Sequence, residues 1–187
     1  MVDPIEITTK RLVLRQWKSE DWELFAYLNA NPQVMAFFPN PLSRQESDAL
    51  VQRFQNQISD RGWGFWAVEV RGFGDFIGFV GLNIPSYELP CTPCVEIGWR
   101  LSDKYWGKGY ATEAAQSALE FGFLQLDLSE IYSFTSVLNQ RSIKVMQRLK
   151  MHDTGKYFDH PLVPDGNRLQ KHCLFRLTRK DWQYKSV

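Results

Sequence analysis

Between Val95 and Leu126 an alternating strand, a loop with two glycines and a helix striped with small residues follow one another without a break. Val95, Ile97, Trp99 and Leu101 recur at period two and share one face of a strand, while Glu96, Gly98 and Arg100 share the other. The loop reads Lys104-Tyr105-Trp106-Gly107-Lys108-Gly109, and a helix is expected from about Ala111 to Leu126. Ala111, Ala114, Ala115, Ala118 and Gly122 form a stripe of small residues on that helix, which suits close packing against a sheet. A chain built around such a unit folds as a sheet with helices laid on it.

The rest of the chain fits that frame. Arg11 to Arg15 alternates and reads as a strand, and Ser19, ahead of Glu20, Asp21 and Glu23, is expected to cap a helix with Trp22, Phe25 and Ala26 on one face. Asn31-Pro32 ends that helix. Ser43 and Glu46 have capping-box spacing before Leu50, Phe54 and Ile58, which predicts a second helix. Phe65 to Val70 and Phe76 to Ile84 read as strands joined by the turn Arg71-Gly72-Phe73-Gly74-Asp75. Ile131 to Val137 is a further strand, Arg141 to Leu149 a helix, and Thr154 to Phe158 and His172 to Leu177 are late strands. The expected order is β, α, α, β-β-β, α, β, α, β-β. With no repeat, low-complexity tract or Gly/Ser linker, residues 1–187 read as one α/β (α+β) domain.

Composition narrows the function. Twenty-two Lys and Arg stand against 21 Asp and Glu, a net charge of +1, so nucleic-acid binding is not expected and any anion must be held locally. No apolar run reaches the ~20 residues of a membrane span. Met1-Val2-Asp3-Pro4 lacks a basic-then-apolar leader, and three cysteines, an odd number, argue against a disulfide scaffold. The reading is a cytoplasmic protein with no membrane partner, a monomer or homodimer.

A glycine-rich loop between strand and helix has a physical use. A helix N-terminus has unpaired N–H groups and a partial positive charge that attract phosphate, and Gly107 and Gly109 let the backbone curl around an anion. Lys104 or Lys108 would add a charge-assisted contact. The bland alternative is a tight turn in which glycine serves geometry only. A P-loop is excluded because G-x-x-x-x-G-K-[ST] is absent, and a Rossmann loop because its third glycine position is missing.

At these residues the sequence resembles the GNAT superfamily of N-acetyltransferases, whose pyrophosphate loop has the pattern [Q/R]-x-x-G-x-[G/A]. Lys104 stands where Gln or Arg is usual. Val95 to Leu101 running into Tyr105 to Glu113 resembles the branch that contains the ribosomal-protein N-terminal acetyltransferases. So do the opening Thr9 to Arg15 and Asn139-Gln140-Arg141-Ser142 ahead of Met146 and Leu149.

The resemblance implies a mixed, mostly antiparallel sheet flanked by helices, with acetyl-CoA as acyl donor, no metal, and an amine acceptor, either a peptide N-terminus or a small molecule. It implies that the backbone of Glu96 to Leu101, including Ile97, Gly98, Trp99 and Leu101, pairs with the pantetheine arm, with an N–H near Ile97 or Gly98 polarising the thioester carbonyl. Amides from Trp106 through Gly107, Lys108, Gly109 and Tyr110 to Ala111 would hold the pyrophosphate, in a binding loop running from Lys104 to Thr112. Asn139 would contact the donor from the far side, and Ser142 would protonate the departing thiolate. Met146 occupies the position of the tyrosine acid found in other members, which excludes that version. Lys150-Met151 replaces the usual Gly-Phe and is read as a changed helix end.

Glu96 is the candidate base, since it points away from the apolar face of its strand beside the thioester site; the competing reading is a structurally paired glutamate. An acyl-CoA-binding module without turnover is the alternative function, and such a module needs neither Glu96 nor Ser142. Cys91-Thr92-Pro93-Cys94 has zinc or redox spacing but lacks a second ligand pair and precedes a strand rather than a helix, so structural thiols are expected. His152, His160 and His172 are expected to be surface or hydrogen-bonded, with the His160 loop a possible wall of the acceptor pocket. Trp63, Phe65 and Trp66 read as core or pocket wall. Acceptor selectivity is expected in Phe37–Leu42 and Asp159–Arg168.

Overall fold

The computed structural model describes residues 2–183; Met1, the first residue of the N-terminal segment considered above, and residues 184–187 lie outside that range. In chain order the elements are β1 (Ile7–Thr8), β2 (Leu12–Arg15), α1 (Asp21–Ala30), α2 (Arg44–Arg61), β3 (Phe65–Val70), β4 (Asp75–Asn83) and β5 (Glu96–Leu101). A short 3-10 turn, Asp103–Tyr105, leads to α3 (Tyr110–Leu124), β6 (Glu130–Ser136), α4 (Gln140–Arg148), β7 (His152–Asp159), β8 (Lys171–Thr178) and α5 (Arg179–Gln183). The expected order holds, with β1, the 3-10 turn and α5 added. The eight strands form one sheet in the order β1-β2-β3-β4-β5-β6-β8-β7. Every neighbouring pair is antiparallel except β5 and β6.

Rings cement α1 and α2 to one face of the sheet. Phe25 of α1 meets Phe76 and Phe79 edge-on, and Phe54 of α2 lies 5.1 Å from Phe65 and 5.2 Å from Phe79. On the opposite face the small stripe does what the sequence anticipates: Ala114, Ala115 and Ala118 are fully buried. A Cβ at Gly122 would meet Ile131 Cδ1 at 2.7 Å and Leu82 Cδ1 at 3.0 Å, so α3 lies close against β4 and β6.

One of the two expected helix starts differs from the reading. The capping box at Ser43 forms as read, but Ser19 caps nothing: α1 is preceded by Glu20, which makes no side-chain cap. Asp21 organises this helix start instead. It accepts the Lys18 N–H at 2.8 Å and pairs with Arg15 at 2.7 Å, and Arg15 also pairs with Glu69 of β3 at 2.7 Å. Drawing Asp21 inward rotates the helix, so its buried line is Asp21, Phe25, Leu28 and Asn29, while Trp22 and Ala26 are only partly covered.

The end of α4 keeps a Schellman geometry despite the changed residue. Met151 N–H reaches the Met146 carbonyl at 3.0 Å and Lys150 N–H the Gln147 carbonyl at 2.9 Å, which puts Lys150 at φ +58°. A side chain in the left-handed region is strained by about 1–2 kcal/mol, and glycine returns part of that gain as chain entropy. Lys150→Gly is therefore expected to stabilise the fold by about 0.5–1 kcal/mol, a melting temperature higher by about 1–4 °C in thermal denaturation.

Candidate active site

The parallel ladder between β5 and β6 is one pair long. Glu96 registers with Tyr132, and the Tyr132 N–H reaches the Val95 carbonyl at 3.0 Å. A parallel pair in that register sets the Ile97 N–H on the Tyr132 carbonyl. The next bond does not follow, because the Ile97 carbonyl accepts from the Ser133 hydroxyl at 3.0 Å rather than from the next backbone N–H. Beyond it the two strands part. Gly98 faces the other way, opposite Gly81 of β4, so alternation leaves Trp99 as the first residue of β5 whose N–H and C=O look into an unpaired seam. Farther along, the Trp106 indole donates to the Leu101 carbonyl at 2.9 Å, and Arg141 of α4 lies over the Trp106 ring at 4.4 Å.

The glycine loop opens at the end of this seam. Gly107 and Gly109 sit at φ +74° and +81°, and Gly109 is the residue before α3. A Cβ at Gly107 would meet nothing within 4 Å. The requirement for glycine there is therefore the backbone angle, not room. Among the described residues the N–H groups of Gly107, Lys108, Gly109, Tyr110, Ala111 and Thr112 have no acceptor. Trp106 drops out of the expected set, since its N–H is bound to the Asp103 carbonyl at 3.1 Å. Lys104 is exposed on the 3-10 turn, and Lys108 Nζ lies over the Tyr105 ring at 5.2 Å. A run of donors at a helix N-terminus, edged by lysines, is a donor set for a diphosphate.

The loop is held from behind by a contact that no local pattern reveals. Glu113, in the first turn of α3, accepts from the Arg11 guanidinium at 2.6 Å, the Arg11 N–H at 2.8 Å and the Thr9 hydroxyl at 2.7 Å. Arg11 also donates to the Lys108 carbonyl at 2.9 Å. The chain before β2 thus fixes the orientation of the loop's amides.

Glu96 lies where the ladder ends, on the α1/α2 face, and is buried. Asn83 Nδ2 donates to its carboxylate at 2.7 Å. Burial pushes its pKa up to about 7, against the opposing pull of that amide and of the Arg53 charge. Tyr87 feels the Glu96 charge, and its hydroxyl is 3.3 Å from His160 Nε2. The Leu162 N–H donates to His160 Nδ1 at 3.2 Å, and His172 Nδ1 faces the Gln170 carbonyl at 3.0 Å. Burial lowers both histidine pKa values, His160 to about 4, so both rings are neutral at pH 7. Phe134 and Phe158 complete this wall. Asn83, Tyr87 and the two histidines converge from distant segments. Only His160 was anticipated here, as a loop residue.

Asn139 acts as a helix cap: its Oδ1 accepts the Ser142 N–H at 3.2 Å and its Nδ2 donates to Thr135 Oγ1 at 3.0 Å. That capping gives the Asn-x-x-Ser spacing a structural purpose of its own. Ser142 is half-buried in the first turn of α4, and its hydroxyl has no bond to the described residues. No group of three metal-ligating side chains occurs among the described residues, and no described helix is long and apolar enough to cross a membrane.

Comparison with known proteins accounts for this arrangement. The family described as the acetyltransferase (GNAT) domain matches residues 11–152. The uncharacterized N-acetyltransferase YnaD of Bacillus subtilis is 28% identical over 179 residues, which cover 95% of this chain and 99% of that one. The FsC-acetyl coenzyme A-N(2)-transacetylase of Aspergillus fumigatus is 30% identical, across 93% of this chain and 76% of its own. A GNAT-family acetyltransferase structure from Bacillus anthracis superposes with a TM-score of 0.77 at 25% identity, covering 94% of this chain and 99% of the other. The spermidine N-acetyltransferase of Vibrio cholerae, solved with CoA and spermine, shares the fold at a TM-score of 0.72 and 21% identity, with 94% and 99% covered. This chain belongs to the GNAT family of acetyltransferases and is an acyltransferase.

Proposed function

We propose that this enzyme moves the acetyl group of acetyl-CoA to a primary amine, a protein N-terminus or a small amine, by direct attack, and that Glu96 is the base. The observation that carries the reading is a buried carboxyl, brought to a pKa of about 7, at the closed end of the seam. At neutral pH about half of such groups are ionised. An ammonium entering from the α1/α2 face loses its proton to Glu96, directly or through one water, and the free amine attacks. Asn83 holds one carboxylate oxygen.

The donor lies along β5. Its pantetheine amides replace the missing partner of Trp99, and the Trp99 N–H donates to the thioester oxygen as negative charge develops there. This assignment takes the place of Ile97 and Gly98, whose N–H groups face Tyr132 and β4. A preorganised donor of this kind contributes about 3 kcal/mol. The free amides of Gly107 to Thr112 hold the diphosphate, with Lys104 and Lys108 at the rim. Ser142, whose hydroxyl has no other partner among the described residues, gives a proton to the departing thiolate. A binding module without turnover has no use for a carboxyl tuned to neutrality.

The FsC transacetylase and spermidine acetyltransferase names support an amine acceptor. Arg168 donates to the carbonyl of Ala36, the residue before Phe37, at 3.2 Å, so the Asp159–Arg168 segment is tied beside the start of Phe37–Leu42, the two segments expected to select the acceptor.

Two measurements test the reading. In acetyl transfer followed by thiol release, activity rises as pH passes about 7. Glu96→Gln loses about 100-fold or more in kcat together with that acidic limb, while Ser142→Ala lowers kcat and keeps the limb. An unaltered profile in Glu96→Gln removes Glu96 from the chemistry. In calorimetry Gly107→Val binds acetyl-CoA about 10- to 100-fold more weakly, the loss of one charge-assisted bond of about 1.5–3 kcal/mol. Unchanged affinity contradicts the loop assignment.

A further inference from the structure

Two thiols outside the acetyl-transfer chemistry face each other in the connection between β4 and β5. Cys91 Sγ and Cys94 Sγ are 2.7 Å apart, hydrogen-bonded, free and both half-buried. The chain between them is turned back on itself: the Leu89 N–H reaches Thr92 Oγ1 at 2.9 Å, and the Thr92 N–H the Leu89 carbonyl at 3.0 Å. Cys94 stands two residues before Glu96, and Tyr87, on the same connection, has its hydroxyl pKa raised by burial and by the Glu96 charge. Cys173, by contrast, is buried in β8 with its thiol against the Thr135 carbonyl.

We propose that Cys91 and Cys94 are a modification site, a dithiol that closes reversibly to a disulfide by exchange with a low-molecular-weight disulfide of the glutathione type. The Cys91 thiolate attacks one sulfur of the small disulfide, forms a mixed disulfide and expels one small thiolate, which takes up the proton Cys91 released. Cys94, once deprotonated, attacks the Cys91 sulfur, forms the internal bond and expels the second small thiol. One small disulfide is reduced to two thiols, and two protein thiols are oxidised to one disulfide.

Cys91 is the entry point. Burial raises both thiols above the ordinary cysteine range, but the Cys94 S–H stabilises the Cys91 thiolate, whereas Cys94 has no such help. Neither thiol is activated in the manner of an oxidoreductase, whose attacking cysteine is lowered. The pair is therefore slow at neutral pH, faster as pH rises, and suited to being modified rather than to catalysis.

Closure stiffens the connection that presents Tyr87 to His160 and ends at Glu96. It acts on the acceptor side and leaves the amides of Gly107 to Thr112 untouched.

The test equilibrates the intact protein with excess oxidised glutathione, quenches with acid, and alkylates in denaturant before mass analysis. Of three cysteines, Cys173 alone is expected to take up the label, dithiothreitol is expected to restore all three, and Cys94→Ser is expected to trap one glutathione on Cys91. Three labelled thiols after equilibration, or glutathione persisting on Cys91 in the unaltered chain, overturns the proposal. A second arm rests on the acetyl-transfer reading: oxidation is expected to shift the acceptor KM by at least about twofold, the lower end of couplings between touching groups, with acetyl-CoA affinity unchanged. No shift in KM overturns the link to the acceptor side. The labelling arm needs no turnover, so it stands or falls apart from the acetyl-transfer reading.

Discussion

The ladder between β5 and β6 stops after one pair, and the site follows from that stop. In a sheet whose other seams run for two or more registered pairs, the Trp99 backbone groups have no strand opposite them. An unpaired backbone group shielded from water costs about 1–3 kcal/mol, so the seam is a place where an extended amide chain gains what a strand would have gained. Ser133 marks the boundary, because its hydroxyl satisfies the Ile97 carbonyl and removes the reason for β6 to stay alongside.

The two ends of the seam divide the labour. At the closed end, burial makes Glu96 a weak enough acid to trade protons near neutral pH, and Asn83 keeps it in place. At the open end, two glycines at positive φ and the start of α3 leave six consecutive N–H groups without an acceptor among the described residues. Arg11 ties that open end to the chain before β2 through Glu113 and the Lys108 carbonyl. Under the proposed function the donor and the amine meet along β5, the element that joins these two ends.

What the sequence made legible was local and periodic. The strand from Glu96, the paired glycines and the small-residue stripe on α3 carry their geometry in their spacing, and each forms as read. Ser19 misled because a buried ion pair between Arg15 and Asp21 outweighs a capping preference. The Asn-x-x-Ser pattern was legible as residues but not as a cap, since capping depends on where α4 begins. The surroundings of Glu96 were hidden for a plainer reason: Asn83 reaches it across the β4–β5 pairing and Tyr87 from the connection beyond β4, and no spacing in one strand announces what lies across the next. Which N–H faces the seam likewise depends on the register with Tyr132, which alternation alone leaves open.

The central claim is that β5 presents an unpaired backbone to a ligand, and amide hydrogen exchange resolved by residue tests it most directly. In the free chain the Gly98 amide, paired with β4, is expected to exchange slowly and the Trp99 amide fast. Saturating CoA is expected to slow Trp99, together with Gly107 to Thr112, and to leave Gly98 as it was. A Trp99 amide already protected without ligand, or one that CoA does not slow, contradicts the account.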